Sequence, residues 1–288
     1  LAGYFEGWYF KQQAGREMLA LIPAVHTDGG GHRTGSLQLI TPDKSWYVPL
    51  PGEALRVVRR GAGRLPVIYA GDSTFSPRGV DLNIRGDGIS ASGHLRYGGM
   101  AAPRGDIMGP YRFVPLMECR HSVFSMTHEV QGSLTLNGKV FDFSDGAGYM
   151  EGDRGRSFPR RYAWAQCSWR DGGTCALMVS AADVRAIGRD FVGVVGFVCL
   201  RGRELRLATY RGAKADLAGG ALAVRQGDLT LTVRLLEDRH QALRAPQGGE
   251  MVRLIKESLA CRARFTLTDK SGPVFDFTTD QASFEYEF

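Results

Sequence analysis

Short stretches in which apolar and polar residues alternate, or in which four to six apolar residues run together, follow one another along almost the whole chain. Phe5-Glu-Gly-Trp-Tyr-Phe10, Leu19-Ala-Leu-Ile22, Ser36-Leu-Gln-Leu-Ile40, Trp46-Tyr-Val48, Val80-Asp-Leu-Asn-Ile84, Ala91-Ser-Gly-His-Leu-Arg96 and Ser133-Leu-Thr-Leu136 read as strands. They are separated by turn clusters such as Asp28-Gly-Gly-Gly31 and Asn137-Gly138. The second half continues in the same style, with Cys175 to Val179, Gly193 to Leu200, Leu205 to Tyr210, Leu222 to Val224, Leu229 to Leu235 and Arg262 to Leu267. Helical periodicity is confined to Arg120–His128 and Glu250–Leu259. The expectation is an all-β protein whose short antiparallel strands close, or nearly close, into barrels. An eight-stranded barrel has room for one small apolar ligand.

The pattern occurs twice. Gly132-Ser-Leu-Thr-Leu-Asn-Gly-Lys-Val-Phe-Asp-Phe143, followed by Gly148-Tyr-Met-Glu151, returns as Arg264-Phe-Thr-Leu-Thr-Asp-Lys-Ser-Gly-Pro-Val-Phe-Asp-Phe277, followed by Ala282-Ser-Phe-Glu285. Gly138/Gly272, Phe141/Phe275, Phe143/Phe277 and Glu151/Glu285 fall in register. Gly7-Trp8 is echoed by Ala163-Trp164, and Ala20-Leu21 by Ala176-Leu177. A period this long is a domain duplication, not a solenoid repeat. The expected division is 1–154 and 155–288.

Composition fits two soluble domains. The 288 residues are 43% hydrophobic and 23% charged, ordinary globular values. No apolar run approaches the roughly 18 residues of a membrane span. The five cysteines, at 119, 167, 175, 199 and 261, are odd in number and widely spaced. Reduced thiols and a cytoplasmic location are therefore expected. The net charge of +6 is carried on a surface of mixed sign, which argues against nucleic-acid binding and leaves room for peripheral contact with an anionic membrane.

Candidate chemistry gathers at the end of the first copy. Cys119-Arg-His121, Ser125-Met-Thr-His128, the segment from Tyr149 to Pro159, and Tyr162-Ala-Trp-Ala-Gln166 supply acids, imidazoles, aromatics and an amide. Side chains alternate along a strand, so Tyr149, Glu151 and Asp153 share one face, and Tyr162, Trp164 and Gln166 another. In the first strand Tyr4, Glu6, Trp8 and Phe10 point one way, and Phe5, Gly7, Tyr9 and Lys11 the other. Glu6 then shares the wall of Trp8 and must be paired, with an arginine at the rim, or protonated. Cys119, His121, His128 and Asp153 carry metal-binding atoms, but their spacing is no recognised zinc pattern, and no metal site is expected. Ser125 and His128 lack the Gly-x-Ser-x-Gly elbow of a hydrolase nucleophile.

Tyr4-Phe-Glu-Gly-Trp-Tyr-Phe-Lys11, Phe141-Asp-Phe143 with Gly148-Tyr-Met-Glu151, Gly155-Arg-Ser-Phe-Pro-Arg-Arg-Tyr-Ala-Trp-Ala-Gln-Cys167 and Leu243-Arg-Ala-Pro246 resemble, in the same order and over nearly the whole chain, the tocopherol cyclase family. The resemblance implies two tandem lipocalin-like antiparallel β-barrels, related to the hydroxyneurosporene synthase group. It implies a cofactor-independent cyclase that closes a chromanol ring on a prenylated hydroquinone. An acid protonates the prenyl double bond, and the phenol oxygen attacks the tertiary carbocation. Such a reaction calls for an acid in a dry pocket and for aromatic faces around the cation. Asp153 and Glu151 are the first candidates for the acid, and Glu6 the third. His121 or His128 would take the phenol proton. Trp8, Tyr149, Tyr162 and Trp164 would wall the pocket, and Gln166 would orient a hydroxyl. A non-catalytic carrier of a hydrophobic small molecule and an isoprenoid hydratase are the alternatives.

Overall fold

The period-two alternation becomes strand directly. The computed structural model describes residues 3–61, 63–115, 117–186 and 189–287. The first sheet is built from β1 (Tyr4–Ala14), β2 (Glu17–Thr27), β3 (Arg33–Ile40), β4 (Ser45–Pro51), β5 (Leu55–Val58), β6 (Val67–Ala70), β7 (Ser73–Ser76), β8 (Gly79–Gly86), β9 (Ile89–Tyr97), β10 (Cys119–Leu136), β11 (Lys139–Asp142) and β12 (Gly146–Gly155). The second contains β13 (Tyr162–Arg170), β14 (Thr174–Ala186), β15 (Arg189–Leu200), β16 (Arg203–Ala208), β17 (Lys214–Ala218), β18 (Ala221–Gln226), β19 (Leu229–Glu237), β20 (Gln241–Gln247), β21 (Glu250–Asp269) and β22 (Gly272–Glu287). In β8 the rule is plain: Val80, Leu82 and Ile84 are buried, and Asp81, Asn83 and Arg85 are exposed. Among the described residues the helical elements are three short 3-10 turns, and no helix is long and apolar enough to cross a membrane.

The strand orders carry the duplication into three dimensions. The first sheet runs β4-β3-β2-β1-β12-β10-β9-β8-β7-β6-β5, with β11 on β10; the second runs β16-β15-β14-β13-β22-β21-β19-β18-β17, with β20 on β21. From β4 to β7 each strand of the first sheet has its counterpart at the same place in the second. The repeated Phe-Asp-Phe is architectural: Phe141, Phe143 and Phe275 are core residues and Phe277 packs against the core, while Asp276 makes a two-pronged pair with Arg264 at 2.7 and 2.6 Å.

The all-β, lipocalin-like class expected from sequence is the one observed, with two corrections. The hydrogen-bonded ladders are open, ending at β4 and β5 and at β16 and β17. Side chains bridge the seams. The Gln226 amide accepts from the Ala208 N–H at 3.0 Å and donates to the Arg206 carbonyl at 3.0 Å, as a neighbouring peptide would. Arg33 Nη2 donates to the Leu55 carbonyl at 2.8 Å. Secondly, Arg120–His128 and Glu250–Leu259 lie in the long strands β10 and β21. Register shifts at Val123/Ser125, Ser125/His128 and Ser258/Cys261 break strict alternation there. In β10 each bulge adds a residue, so apolar positions recur at spacings that imitate a helix; Glu250–Leu259 alternates as far as Glu257, and the imitation there comes from the exposed Val252 and Leu254 beside the buried Ile255.

The chain divides into two compact units. The first takes Leu1–Asp106, Cys119–Phe158 and Leu243–Leu254, and the second takes Ile107–Glu118, Pro159–Ala242 and Ile255–Phe288. The core of the first contains Trp8, Phe10, Phe75, Phe141, Phe143 and Met150. The segment from Leu243 straps onto its sheet. Gln38 accepts from the Arg244 N–H at 2.8 Å and donates to the Arg244 carbonyl at 2.9 Å, and the guanidinium stacks over Tyr47 at 4.6 Å. Phe158 N–H donates to the Pro246 carbonyl at 3.1 Å, and Gly249 N–H to the Arg156 carbonyl at 2.7 Å.

Candidate functional site

Three adjacent strands, β10, β12 and β1, place the chemistry. Asp153 sits opposite His121 on β10 and opposite Gly7 on β1; Glu151 sits opposite Val123 and Tyr9. Residues opposite one another across a ladder share a sheet face. His121, Asp153, Glu151, Tyr149, Tyr9 and Lys11 therefore lie on one face, and Trp8, Phe10 and Met150 lie on the other, in the core.

On that first face the polar groups form a chain. Cys119 Sγ donates to Asp153 Oδ1 at 3.5 Å, and His121 Nδ1 lies 2.8 Å from the same oxygen. His121 Nε2 lies 3.2 Å from Glu151 Oε2, an ion-pair distance without the alignment of a hydrogen bond. Tyr149 donates its hydroxyl proton to Glu151 Oε2 at 2.5 Å. Side-chain exposure rises along the chain from 9% at Glu151 to 14% at His121 and 21% at Asp153. Of these three, Asp153 is thus the most open to a bound molecule.

Electrostatics fix the protonation pattern. Burial by itself pulls the His121 imidazolium toward deprotonation, but the Asp153 and Glu151 carboxylates on its two nitrogens outweigh this and hold its pKa well above the usual histidine value. The Tyr149 phenol is also raised well above its usual value, by burial and then by Glu151, so it remains a donor. His121, Glu151 and Asp153 can bring one ligand atom each within 4.8 Å of one another. However, the closest carboxylate oxygens face different ring nitrogens, and one ion can use only one of these. The arrangement suits a shared proton better than a metal.

The other residues singled out in the sequence lie elsewhere. Glu6 is on the core side of β1, ion-paired with Arg59 and accepting from the Tyr4 hydroxyl at 3.3 Å. His128 is opposite Gly148 and also on the core side, 3.1 Å from Ser125 Oγ and edge-on to Tyr97. Tyr162, Trp164 and Gln166 belong to the second unit, on the face of β13 opposite the core residues Ala163, Ala165 and Cys167. Tyr162 donates to Glu285, and Gln166 donates to Ser168 Oγ at 3.2 Å. Tyr9 and Lys11, which share the face of His121, were not singled out. Alternation in β1 groups them, but only cross-strand register reveals that theirs is the face with the charges.

Two histidines outside the chain give a pH test. Burial pushes both His26 and His128 down to about 4 from 6.5. Each is neutral in the folded protein but takes a proton when unfolded at pH 5. Stability should therefore fall as pH drops from about 6.5 toward 4, by up to roughly 3 kcal/mol per histidine. His121, raised instead, stays protonated in the folded state throughout this window and is protonated in the unfolded state as well toward its acid end, so it adds no slope there. Urea midpoints between pH 7 and 4.5 should shift strongly in the wild type and about half as much in His128→Leu; equal slopes would refute the assignment.

The sequence from 89 to 286 matches the model of a family described as tocopherol cyclase-like. The chain belongs to the tocopherol cyclase-like family. Membership supports a cyclase-like or isoprenoid-modifying role. No curated protein sequence matches the chain. Among solved structures, CghA is similar at a TM-score of 0.58 and 11% identity, over 99% of this chain and 88% of that one. CghA with Sch210972 gives a TM-score of 0.56 at 11% identity, over 98% and 87%. Kievitone hydratase from Nectria haematococca gives 0.52 at 10% identity, over 99% and 89%. At such identities these likenesses speak for the fold of this tocopherol cyclase-like protein.

Proposed function

We propose that the protein closes a chromanol-type ring on a prenylated hydroquinone or a related isoprenoid. The observation that carries this reading is the chain Asp153–His121–Glu151, an imidazolium held between two carboxylates with its most exposed member at one end. Asp153 draws a proton from His121 Nδ1 and delivers it to the prenyl double bond. A C–H bond forms, the π bond breaks, and a tertiary carbocation results. The phenol oxygen attacks the cation, and its proton returns to the carboxylate–imidazole chain. Protons balance within the site, and the product is an isomer of the substrate. Glu151, held by the Tyr149 hydroxyl, keeps the imidazole charged between turnovers. The net charge of +6 suits collection of a lipid-tailed substrate from an anionic surface.

The test is incubation of the protein with a prenylated hydroquinone in detergent, followed by chromatography and mass spectrometry. Wild type should yield a product of unchanged mass. Asp153→Asn, which keeps the side-chain shape, should be slower by at least about a hundredfold. Stoichiometric binding without turnover would make the protein a carrier, and a product heavier by one water would make it a hydratase.

A further inference from the structure

Gly7 faces Asp153 on one side and Ala24 on the other, completing a row His121–Asp153–Gly7–Ala24 across four strands. Nothing local requires a glycine there. Its backbone is not in the left-handed region, and a Cβ at this position would meet only the Ala24 Cβ at 3.5 Å and the Pro23 carbonyl oxygen at 4.0 Å. Glycine inside a strand is destabilising relative to alanine, and its neighbours on this face of β1 are large. Its missing side chain therefore leaves space beside the most exposed group of the proton chain. Gly7 is itself partly exposed, whereas Phe5, Tyr9 and Ala24 are 2%, 8% and 4% exposed. The space is bounded along β1 by Phe5 and Tyr9, whose Cα atoms are about 13 Å apart in an extended strand, and across it by Ala24 and Asp153, each about 5 Å from Gly7. Phe158 packs edge-on against Phe5 at 5.6 Å and holds that ring in place.

We propose that this hollow over Gly7 seats the five-carbon prenyl arm of the substrate, its double bond beside Asp153, and that the Tyr9 ring is the aromatic face the carbocation meets. The proposal rests on the cyclase reading and gives it a substrate seat. An isoprene unit fits the slot in length, and the two flanking rings exclude water from the cation.

The test separates the seat from the chemistry. The probe is the dimethyl ether of a hydroquinone bearing one prenyl group, which cannot cyclise; the same ether without the prenyl group is its control. Calorimetry should show that wild type binds the prenylated probe at least about tenfold more tightly than the control. Gly7→Ala should bind it about tenfold more weakly than wild type, with an unfolding midpoint unchanged or raised, and Gly7→Val should abolish the preference for the prenyl group. A variant that gains stability while losing the ligand is a result that a packing role for Gly7 does not give. With reactive substrate, Tyr9→Leu should divert product toward the water-trapped alcohol. Undiminished prenyl preference in Gly7→Val, or no preference in wild type, would overturn the seat. Preference in wild type without turnover would leave the seat standing and remove the cyclase reading.

Discussion

His121→Gln is expected to abolish ring closure, lowering turnover by about 10²–10⁴, and to destabilise the protein by about 3 kcal/mol, the low end for a broken buried ion pair because Asp153 keeps 21% exposure. Glutamine retains hydrogen-bonding capacity but carries no proton to give and no charge to hold two carboxylates together. The wild-type rate should be flat through neutral pH and should fall as pH rises through the elevated His121 pKa, where the imidazolium is lost. The stability of the ion pair follows the same sign: it is fully present below the unfolded histidine value near 6.5 and disappears as pH rises through the folded one. Glu151→Gln removes one of the two carboxylates that raise this pKa, so the alkaline limb of the rate profile should move to lower pH. A merely structural role for Glu151 would change the rate without moving the limb. A His121→Gln protein with wild-type urea midpoint and turnover would remove the proton chain from the mechanism.

The second large effect is expected away from the chemistry, at Gly148→Ala. A Cβ at Gly148 would lie 2.1 Å from His128 Nε2 and 2.5 Å from its Cε1. The ring cannot withdraw easily, since Ser125 Oγ lies 3.1 Å from its Nδ1 and the Tyr97 ring stands 4.7 Å away. Overpacking of this kind costs about 2–3 kcal/mol. Because the clash involves one side chain, Gly148→Ala combined with His128→Ala should be less destabilised than the sum of the single changes, by at least about 1 kcal/mol. Additive urea midpoints would mean that Gly148 is needed for some reason other than the imidazole lying on it.

Much of this architecture is legible in the residues. The paired Phe-Asp-Phe and Asn-Gly/Ser-Gly turns announce β10–β12 and β21–β22 as copies, because turn glycines and core phenylalanines answer to local rules. Alternation also places Tyr149, Glu151 and Asp153 on one face. It further separates His121 from His128, since seven is an odd spacing, and β10 and β12 keep them on opposite faces. What single-strand reasoning does not supply is register between strands. That His121 meets Asp153, and that Gly7 clears the space in front of it, depends on how β10, β12 and β1 slide against one another over more than a hundred residues of sequence. The open ends of the two ladders are hidden for the same reason. Closure turns on one strand length and one tilt, and the Gln226 amide that spans the second seam is, in sequence, an ordinary polar residue before a turn.

The strap from Leu243 to Leu254 has a consequence for synthesis. The first unit acquires its last piece only after Pro159–Ala242, the greater part of the second unit, has been made. Until that piece leaves the ribosome, Gln38 lacks its backbone partner and Tyr47 its guanidinium. The nascent first half is therefore an incomplete body with a polar acceptor and an aromatic face uncovered, a state prone to self-association. The ancestral gene duplication did not leave two independent folding units strung in series. It left an order of assembly in which the earlier copy waits for the later one.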